Sequence, residues 1–252
     1  MLDKQAVENL SAELKIDSFT IYREYLQLLF LKYFYDQKES EQVFFKGGTA
    51  IRFLLGSFRF SEDLDFSSLL NEAKLIKLIN KSLVDLNREV KVDFKQNKTI
   101  AQAFSGRLFE KLAGFDFALT VKLDFSLREK PVLPENSLIE TVFPISPFPK
   151  VVHLAKEELL AEKIRAILTR NRGRDIFDLW FLLSKKVPID WKLVNKKMKL
   201  YKKTADMAKL IQAVQKISQS QIKDDLNKFL PLNYRDLVLQ LKDLTLKKLT
   251  DL

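Results

Sequence analysis

Lys46-Gly47-Gly48-Thr49 and Asp63-Leu64-Asp65-Phe66 stand thirteen residues apart, and the two groups have complementary chemistry. The glycines separate a short apolar run, Val43-Phe44-Phe45, from a helix predicted over Ala50 to Leu55. Two glycines there let the backbone approach a ligand closely, and a helix start presents free amides to an anion. Thr49 adds a hydroxyl donor, and a triphosphate is the anion such a cradle suits. Asp63 and Asp65 alternate with Leu64 and Phe66 in a predicted strand, so both carboxylates leave one face while the apolar side chains enter a core. Carboxylates a few ångströms apart repel each other unless a cation lies between them. Hard oxygen ligands select Mg²⁺ or Mn²⁺ over zinc, and a pair of such ions activates an attacking hydroxyl and stabilises a leaving pyrophosphate. Taken singly, the glycine pair is equally a turn and Asp-x-Asp an exposed strand edge.

Two later segments place charge where charge is costly. In Leu159-Leu160-Ala161-Glu162-Lys163-Ile164-Arg165-Ala166, Lys163 lies four residues from both Leu159 and Ile167, so on a helix it emerges along the apolar stripe. An inward lysine loses hydration unless an anion meets it, as a triphosphate would. The alternative is that its long stem snorkels to the surface. Further on, Arg170-Asn171-Arg172-Gly173-Arg174 runs into Asp175-Ile176-Phe177-Asp178-Leu179. Gly173 suits the end of one helix and Asp175 the first turn of the next. Asp175 and Asp178 share a face there, with Arg174 within reach of Asp178. A capping role explains Asp175 as well as a chemical one does. The single histidine, His153, fits a surface position at a strand end.

These groups need elements to hold them. Helical spacing predicts helices over residues 4–14, 18–36 and 71–86, and strict alternation predicts a strand from Asp63 to Ser67. Alternating or β-branched patterns predict strands over Val90 to Phe94, Ile100 to Phe109 and Phe115 to Phe125. Three prolines among residues 144–149 forbid regular helix there, and the boundary is placed at that point. An α/β half, residues 1–149, precedes an all-helical half, residues 150–252, of five or six segments. Only 6 Gly and 7 Pro occur in 252 residues, which favours long periodic segments.

That length supports one large domain or two modest ones with a substantial core. Hydrophobic residues at 46% and charged residues at 30% exclude disorder. The absence of cysteine excludes disulfides, thiolate metal sites and cysteine nucleophiles. No apolar run reaches the roughly 18 residues of a membrane span. The first ten residues carry Asp3 and Glu8 without a signal peptide's apolar core, so a cytoplasmic protein with no membrane association is expected. The net charge of +10 is unevenly placed: Trp191 to Leu252 hold 14 Lys and Arg against 6 Asp, and no Glu follows Glu162. Lys196, Lys197, Lys199, Lys202 and Lys203 cluster around Tyr201. Cations beside an aromatic suit a nucleic-acid backbone, whose counterions they release; a solvated lysine-rich helix face has the same composition.

Together, the glycine pair and Asp-x-Asp in a strand–helix–strand context resemble the DNA polymerase beta-type nucleotidyltransferase superfamily. The spacing is near the long end for that superfamily, and Lys46 stands where an apolar residue is commoner. The resemblance implies a third acidic ligand on a later strand. Asp124, in Val121-Lys122-Leu123-Asp124-Phe125, is favoured for its apolar flanks; Asp93, in Val90-Lys91-Val92-Asp93-Phe94, is the reserve, and Asp116 a third choice. Adding the Ala-Glu-Lys-Ile-Arg-Ala and Arg-Asp-Ile-Phe-Asp-Leu segments, the stretch from Val43 to Leu183 resembles the AbiEii/AbiGii toxin family. The last seventy residues are covered only as an undetailed helical region.

That resemblance implies an α+β fold: an N-terminal nucleotidyltransferase-like mixed sheet flanked by helices, then a helical half contributing Lys163 and Asp175 to the active site. It implies nucleotide binding at Gly47, Gly48 and Thr49, metal binding at Asp63, Asp65 and Asp124, phosphate contact by Lys163 and an active-site role for Asp175. Asp178 matches the same motif as a nucleotide-binding candidate, and the sequence leaves open which of the two acids faces the site. The implied activity is transfer of a nucleotide from an NTP, with Mg²⁺ or Mn²⁺, to an acceptor, foremost RNA (tRNA), with release of pyrophosphate. Such a protein is the toxin of a toxin–antitoxin or phage-defence system and has a cognate antitoxin. Two other readings are a nucleotidyltransferase acting on a protein or small molecule, and a non-catalytic module binding nucleic acid or an antitoxin.

Overall fold

Alternating apolar and polar residues in the first part of the chain pair into one mixed sheet, and the later apolar stripes pack as helices. The computed structural model describes residues 2–97, 102–170 and 172–251. The chain divides into two compact units, Met1–Gly56 with Phe60–Leu154, and Ser57–Arg59 with Ala155–Leu252.

The first unit holds helices α1 (Lys4–Leu14), α2 (Ser18–Tyr35), α3 (Gly47–Leu55) and α4 (Glu72–Leu86). Its strands are β1 (Val43–Lys46), β2 (Asp63–Ser68), β3 (Val92–Gln96), β4 (Ala103–Glu110), β5 (Leu119–Ser126), β6 (Pro134–Leu138) and β7 (Lys150–Leu154). Side-chain caps start three of the helices: Asp3 accepts from the Ala6 amide, Asp17 from Thr20 and Asn71 from Lys74, each satisfying a donor that a helix start leaves open. The strand order is β3-β4-β5-β2-β1-β7-β6. β2 runs parallel to β5 and antiparallel to β1, which in turn runs parallel to β7.

Alternation decides the faces. Along β5, Leu119, Val121, Leu123 and Phe125 are buried, while Thr120, Lys122, Asp124 and Ser126 are half-exposed. Leu64 and Phe66 of β2 are likewise fully buried. Phe66 and Phe125 stack with centroids 4.6 Å apart, and Phe34 of α2 closes on Phe66 at 5.6 Å. This aromatic cluster fixes α2 against the apolar face and leaves the aspartates on the other.

Several expectations need correction. The strand predicted from Phe115 starts at Leu119, because residues 115–118 form an irregular loop with Phe117 exposed. Residues 100 and 101 of the predicted third strand lie outside the described residues; β4 begins at Ala103. The helix expected from Ala50 starts at Gly47 itself. β6 was not anticipated, since Pro134–Leu138 is polar and mostly exposed without alternation; the strand end expected at His153 is part of β7, so residues 150–154 belong to the first unit and not to the helical half. His153 is not a surface residue. It is buried in β7, with Nδ1 2.9 Å from the Leu154 carbonyl and Nε2 2.9 Å from Ser137 Oγ.

The second unit is helical: α5 (Lys156–Thr169), α6 (Gly173–Ser184), α7 (Trp191–Met198), α8 (Met207–Lys216), α9 (Gln219–Leu226) and α10 (Leu237–Thr250). The excursion Ser57–Arg59 belongs to it through Phe58, whose ring stacks on Tyr234 at 4.2 Å and meets Phe177 edge-on at 5.1 Å. Gly173 opens α6 rather than closing α5. A Cβ there would lie 2.7 Å from the Ile222 Cα, and the Gly173 amide donates to Asp225 at 2.7 Å. Arg174 does not pair with Asp178; its guanidinium lies over the Phe229 ring at 4.9 Å. Among the described residues no helix is long and apolar enough to cross a membrane.

Because Phe66 sits at the centre of the aromatic cluster, Phe66→Ala is expected to cost about 3–5 kcal/mol, read as a lowered urea midpoint with unchanged slope. A loss below about 1 kcal/mol would mean that the cluster does not anchor the sheet.

Candidate active site

The site in the first unit is built by one antiparallel pairing. Phe45 lies opposite Phe66 and Lys46 opposite Asp65, so the chain leaves β1 for α3 beside the aspartate pair. Gly47 makes that turn at φ +83°, where L side chains are strained. Space demands glycine as well: a Cβ at this position would lie 2.1 Å from Asp65 Oδ2. The backbone at the start of α3 is therefore pressed against a carboxylate of the Asp-x-Asp pair. The Lys46 side chain, at the N-cap position of α3, makes no capping bond to it.

Thr49 does not offer its hydroxyl outward. It is buried, and its Oγ1 donates to the Asp63 carbonyl at 2.5 Å, tying α3 to β2. Lys46, unusual at its position, is buried in an ion pair with Glu129, itself buried. Burial of an ammonium demands such a partner. Glu129 was not singled out from the sequence; the one signal for it was a lysine ending an apolar strand.

The parallel pairing of β2 with β5 sets Asp65 level with Asp124 and Asp63 level with Lys122. Asp63, Asp65 and Asp124 thus share the sheet face opposite the aromatic cluster. Asp93 lies exposed on β3, at the sheet edge, with β4 and β5 between it and β2. Asp116 lies in the loop before β5. Lys122, two residues from Asp124 on the same face, places its Nζ 2.5 Å from Asp124 Oδ2. Among the described residues no three acidic or histidine side chains are gathered closely enough to hold a metal ion. Asp63 and Asp65 fit a small hard cation by donor type and shared face, whereas Asp124 is held in its ion pair with Lys122.

In the second unit Lys163 faces inward, as its place on the apolar stripe predicts, and meets carboxylates. Its Nζ is 2.7 Å from Asp178 Oδ2 and 3.3 Å from Asp175 Oδ1. Arg59 closes on Asp178 through two bonds of 2.9 Å, and Arg170 closes on Asp175 in the same two-pronged way. Both aspartates are fully enclosed, so neither presents a free carboxylate to solvent. Burial works to raise the Asp175 pKa, but the Lys163 charge and the Arg170 hydrogen bonds outweigh it and bring it down to about 2. Arg59 and Arg170 were missed in the sequence. Arg170 stands five residues before its partner, whereas Arg59 lies 119 positions from Asp178, beyond any local pattern.

A glycine-turned helix start pressed against paired strand carboxylates is the arrangement of a nucleotidyltransferase. The sequence profile described as "Nucleotidyl transferase AbiEii toxin, Type IV TA system" matches residues 29–243, and the chain belongs to that family. It is a nucleotidyltransferase toxin of a type IV toxin–antitoxin system, a class that implies an NTP substrate and an antitoxin partner. No curated relative matches the chain by sequence. The fold is similar to that of MenT4, a nucleotidyltransferase toxin from Mycobacterium tuberculosis H37Rv, with TM-score 0.62 and 19% identity over 100% of this chain and 91% of that one. JHP933 from Helicobacter pylori is similar over 94% of this chain and 95% of that one, with TM-score 0.58 and 20% identity.

Gly47→Ala is expected to cost about 1–3 kcal/mol from backbone strain and, by displacing the Asp65 carboxylate, to lower nucleotidyl transfer about a hundredfold. Thermal melting and a labelled-NTP assay check the two parts; full activity would show that Asp65 tolerates displacement. For Asp175 the folded pKa lies below the ordinary 3.8, so its ion pairs stabilise the fold above about pH 4. That contribution, about 2 kcal/mol, is lost as pH falls through the folded value near 2. Asp175→Asn should therefore flatten the acid limb of a stability–pH curve between about pH 4 and 2, and an unchanged limb would remove Asp175 from the acid response.

Proposed function

We propose that this toxin is a metal-dependent enzyme that transfers a nucleotide from an NTP to RNA, with tRNA the foremost acceptor, in the cytoplasm, as a toxin–antitoxin or phage-defence effector. The observation that carries the reading is the contact between the Gly47 backbone and the Asp65 carboxylate. It sets an anion-binding helix start beside a cation-binding carboxylate pair, the two needs of a bound NTP.

In this reading the acceptor hydroxyl attacks the α-phosphorus. The new O–P bond forms as the α–β bridging bond breaks, pyrophosphate departs, and the hydroxyl proton passes to one carboxylate of the pair. Asp63 and Asp65 would hold Mg²⁺ or Mn²⁺, with Asp124 the third ligand, and the ion would offset charge on the phosphates. The amides of Gly47 and Gly48 receive phosphate oxygens, and Thr49 positions them by fixing α3 to β2. Placement of this kind supplies most of the catalysis in phosphoryl transfer.

The proposal extends to Lys163 as a phosphate contact, and to Asp175 and Asp178 as the acids that orient it. Arg59, Lys163 and Arg170 all close on Asp175 and Asp178, so the acids that orient Lys163 are themselves held in place. The RNA acceptor is supported by the surplus of positive charge, +10 overall.

The test incubates each labelled NTP in turn with total RNA and with total protein. Wild type should label RNA in the presence of Mg²⁺, and Asp65→Asn, nearly isosteric, should lose about a hundred- to a thousandfold of that rate while melting normally. Label in protein or in small molecules would replace the acceptor and keep the chemistry. Undiminished labelling by Asp65→Asn would end the reading.

A further inference from the structure

The lysine cluster seen in the sequence does not act as one patch. Lys197 turns inward and ion-pairs with Glu158 at 2.5 Å and Glu162 at 2.9 Å, while Lys196 and Lys199 are exposed. Lys202 and Lys203 instead border an open cavity of about 710 Å³ together with Arg170, Lys209 and Lys216. The cations come from the end of α5, the turn after α7 and the length of α8, and among the described residues no acidic one lines the cavity. Two of the five are already engaged: Arg170 with Asp175, and Lys209 with Asp206 at 3.2 Å. Among the described residues no carboxylate pairs with Lys202, Lys203 or Lys216. Ile167, Leu168 and Met198 supply an apolar floor, and Thr204 stands at the wall beside Lys209.

We propose that this cavity, lined wholly by residues of the second unit, is a groove for the phosphodiester backbone of RNA. The proposal rests on the RNA reading above and gives that acceptor a place to bind. Three exposed ammonium groups spread over two elements match a repeating anion better than a single phosphate. An apolar floor between them suits the ribose and base surfaces that lie between phosphates. A small acidic ligand would leave part of this charge unused, whereas consecutive phosphates engage it all. Lys202 also adopts φ +53°, a conformation that favours glycine. A charged side chain is thus held at the rim where glycine would fold at least as well, and that makes Lys202→Gly a clean probe.

The experiment measures binding of a short fluorescein-labelled RNA of mixed sequence by anisotropy across a salt series. It compares wild type, the triple variant Lys202→Gly/Lys203→Gln/Lys216→Gln, and a control triple, Lys74→Gln/Lys77→Gln/Lys91→Gln, which removes three exposed charges from the first unit. Loss of three phosphate contacts should lower the slope of log affinity against log salt by roughly two to three, with melting temperature unchanged and control slope intact. Equal slopes for all three proteins, equal losses in both triples, or no RNA binding by wild type would each overturn the groove. Competition by ATP alone that fully displaces the RNA from wild type would also overturn it, since a single nucleotide would then suffice. Asp65→Asn separates this from the catalytic reading. If it loses labelling yet keeps the wild-type salt slope, reaction and groove stand apart; if the groove triple keeps that slope, the groove falls and the reaction survives.

Discussion

The structure depends on a single close approach, the Gly47 backbone against the Asp65 carboxylate. Every neighbouring feature is arranged to keep it. The pairing of β1 with β2 sets Lys46 across from Asp65, and the left-handed turn at Gly47 sends the chain directly into α3. The Thr49 hydroxyl locks the first turn of that helix to the Asp63 carbonyl. Phe45 and Phe66, on the opposite face, pack at 5.6 Å and hold the same two strands from below. A site made from backbone amides and short acidic side chains has no long side chains to adjust its geometry, so its precision must come from strands and their register.

Charge burial follows the same logic in both units. Lys46 with Glu129, Arg52 with Glu24, Arg59 with Asp178 and Lys197 with Glu158 are all largely enclosed pairs. Such pairs contribute little net stability compared with apolar side chains of similar size, because desolvation offsets their attraction. Their value is directional: breaking one leaves a charge stranded in the interior, so misregistered packings are penalised. For Lys197, burial opposes the charged form, yet Glu162 and Glu158 outweigh it and lift its pKa above the usual lysine value. It remains an ammonium and is kept in place by its two acids.

What the sequence disclosed followed from local periodicity. The alternation of Asp63-Leu64-Asp65-Phe66 placed both carboxylates on one face, and the helical position of Lys163 showed it pointing inward. The α+β order, with its mixed sheet first, came from the same patterns joined to the family resemblance. What stayed hidden was the long-range component. Arg59 as the partner of Asp178 and Glu129 as the partner of Lys46 arise from pairings across 83 or more residues. Strand β6 escaped notice because polar, exposed Pro134–Leu138 gives no period to read. Thr49 illustrates a subtler limit: residue type announced a hydroxyl donor, and only the folded chain shows that it is spent on the Asp63 carbonyl.

The lysines of the second unit carry the same lesson toward function. Lys197 and Lys202 are five residues apart and indistinguishable by composition, yet one is sealed against two glutamates and the other faces an open cavity. Helix α7 accounts for the difference: its buried stripe of Leu193, Val194, Lys197 and Met198 carries Lys197 inward, and the left-handed turn at Lys202 then reverses the chain. A basic sequence therefore becomes a directed basic surface only through helix phase and a turn. The acidic face of β2 and β5 is made by strand register in an equivalent way. In both units, a regular element converts charge that is merely present into charge with a direction, and it is direction that a phosphate ligand can select.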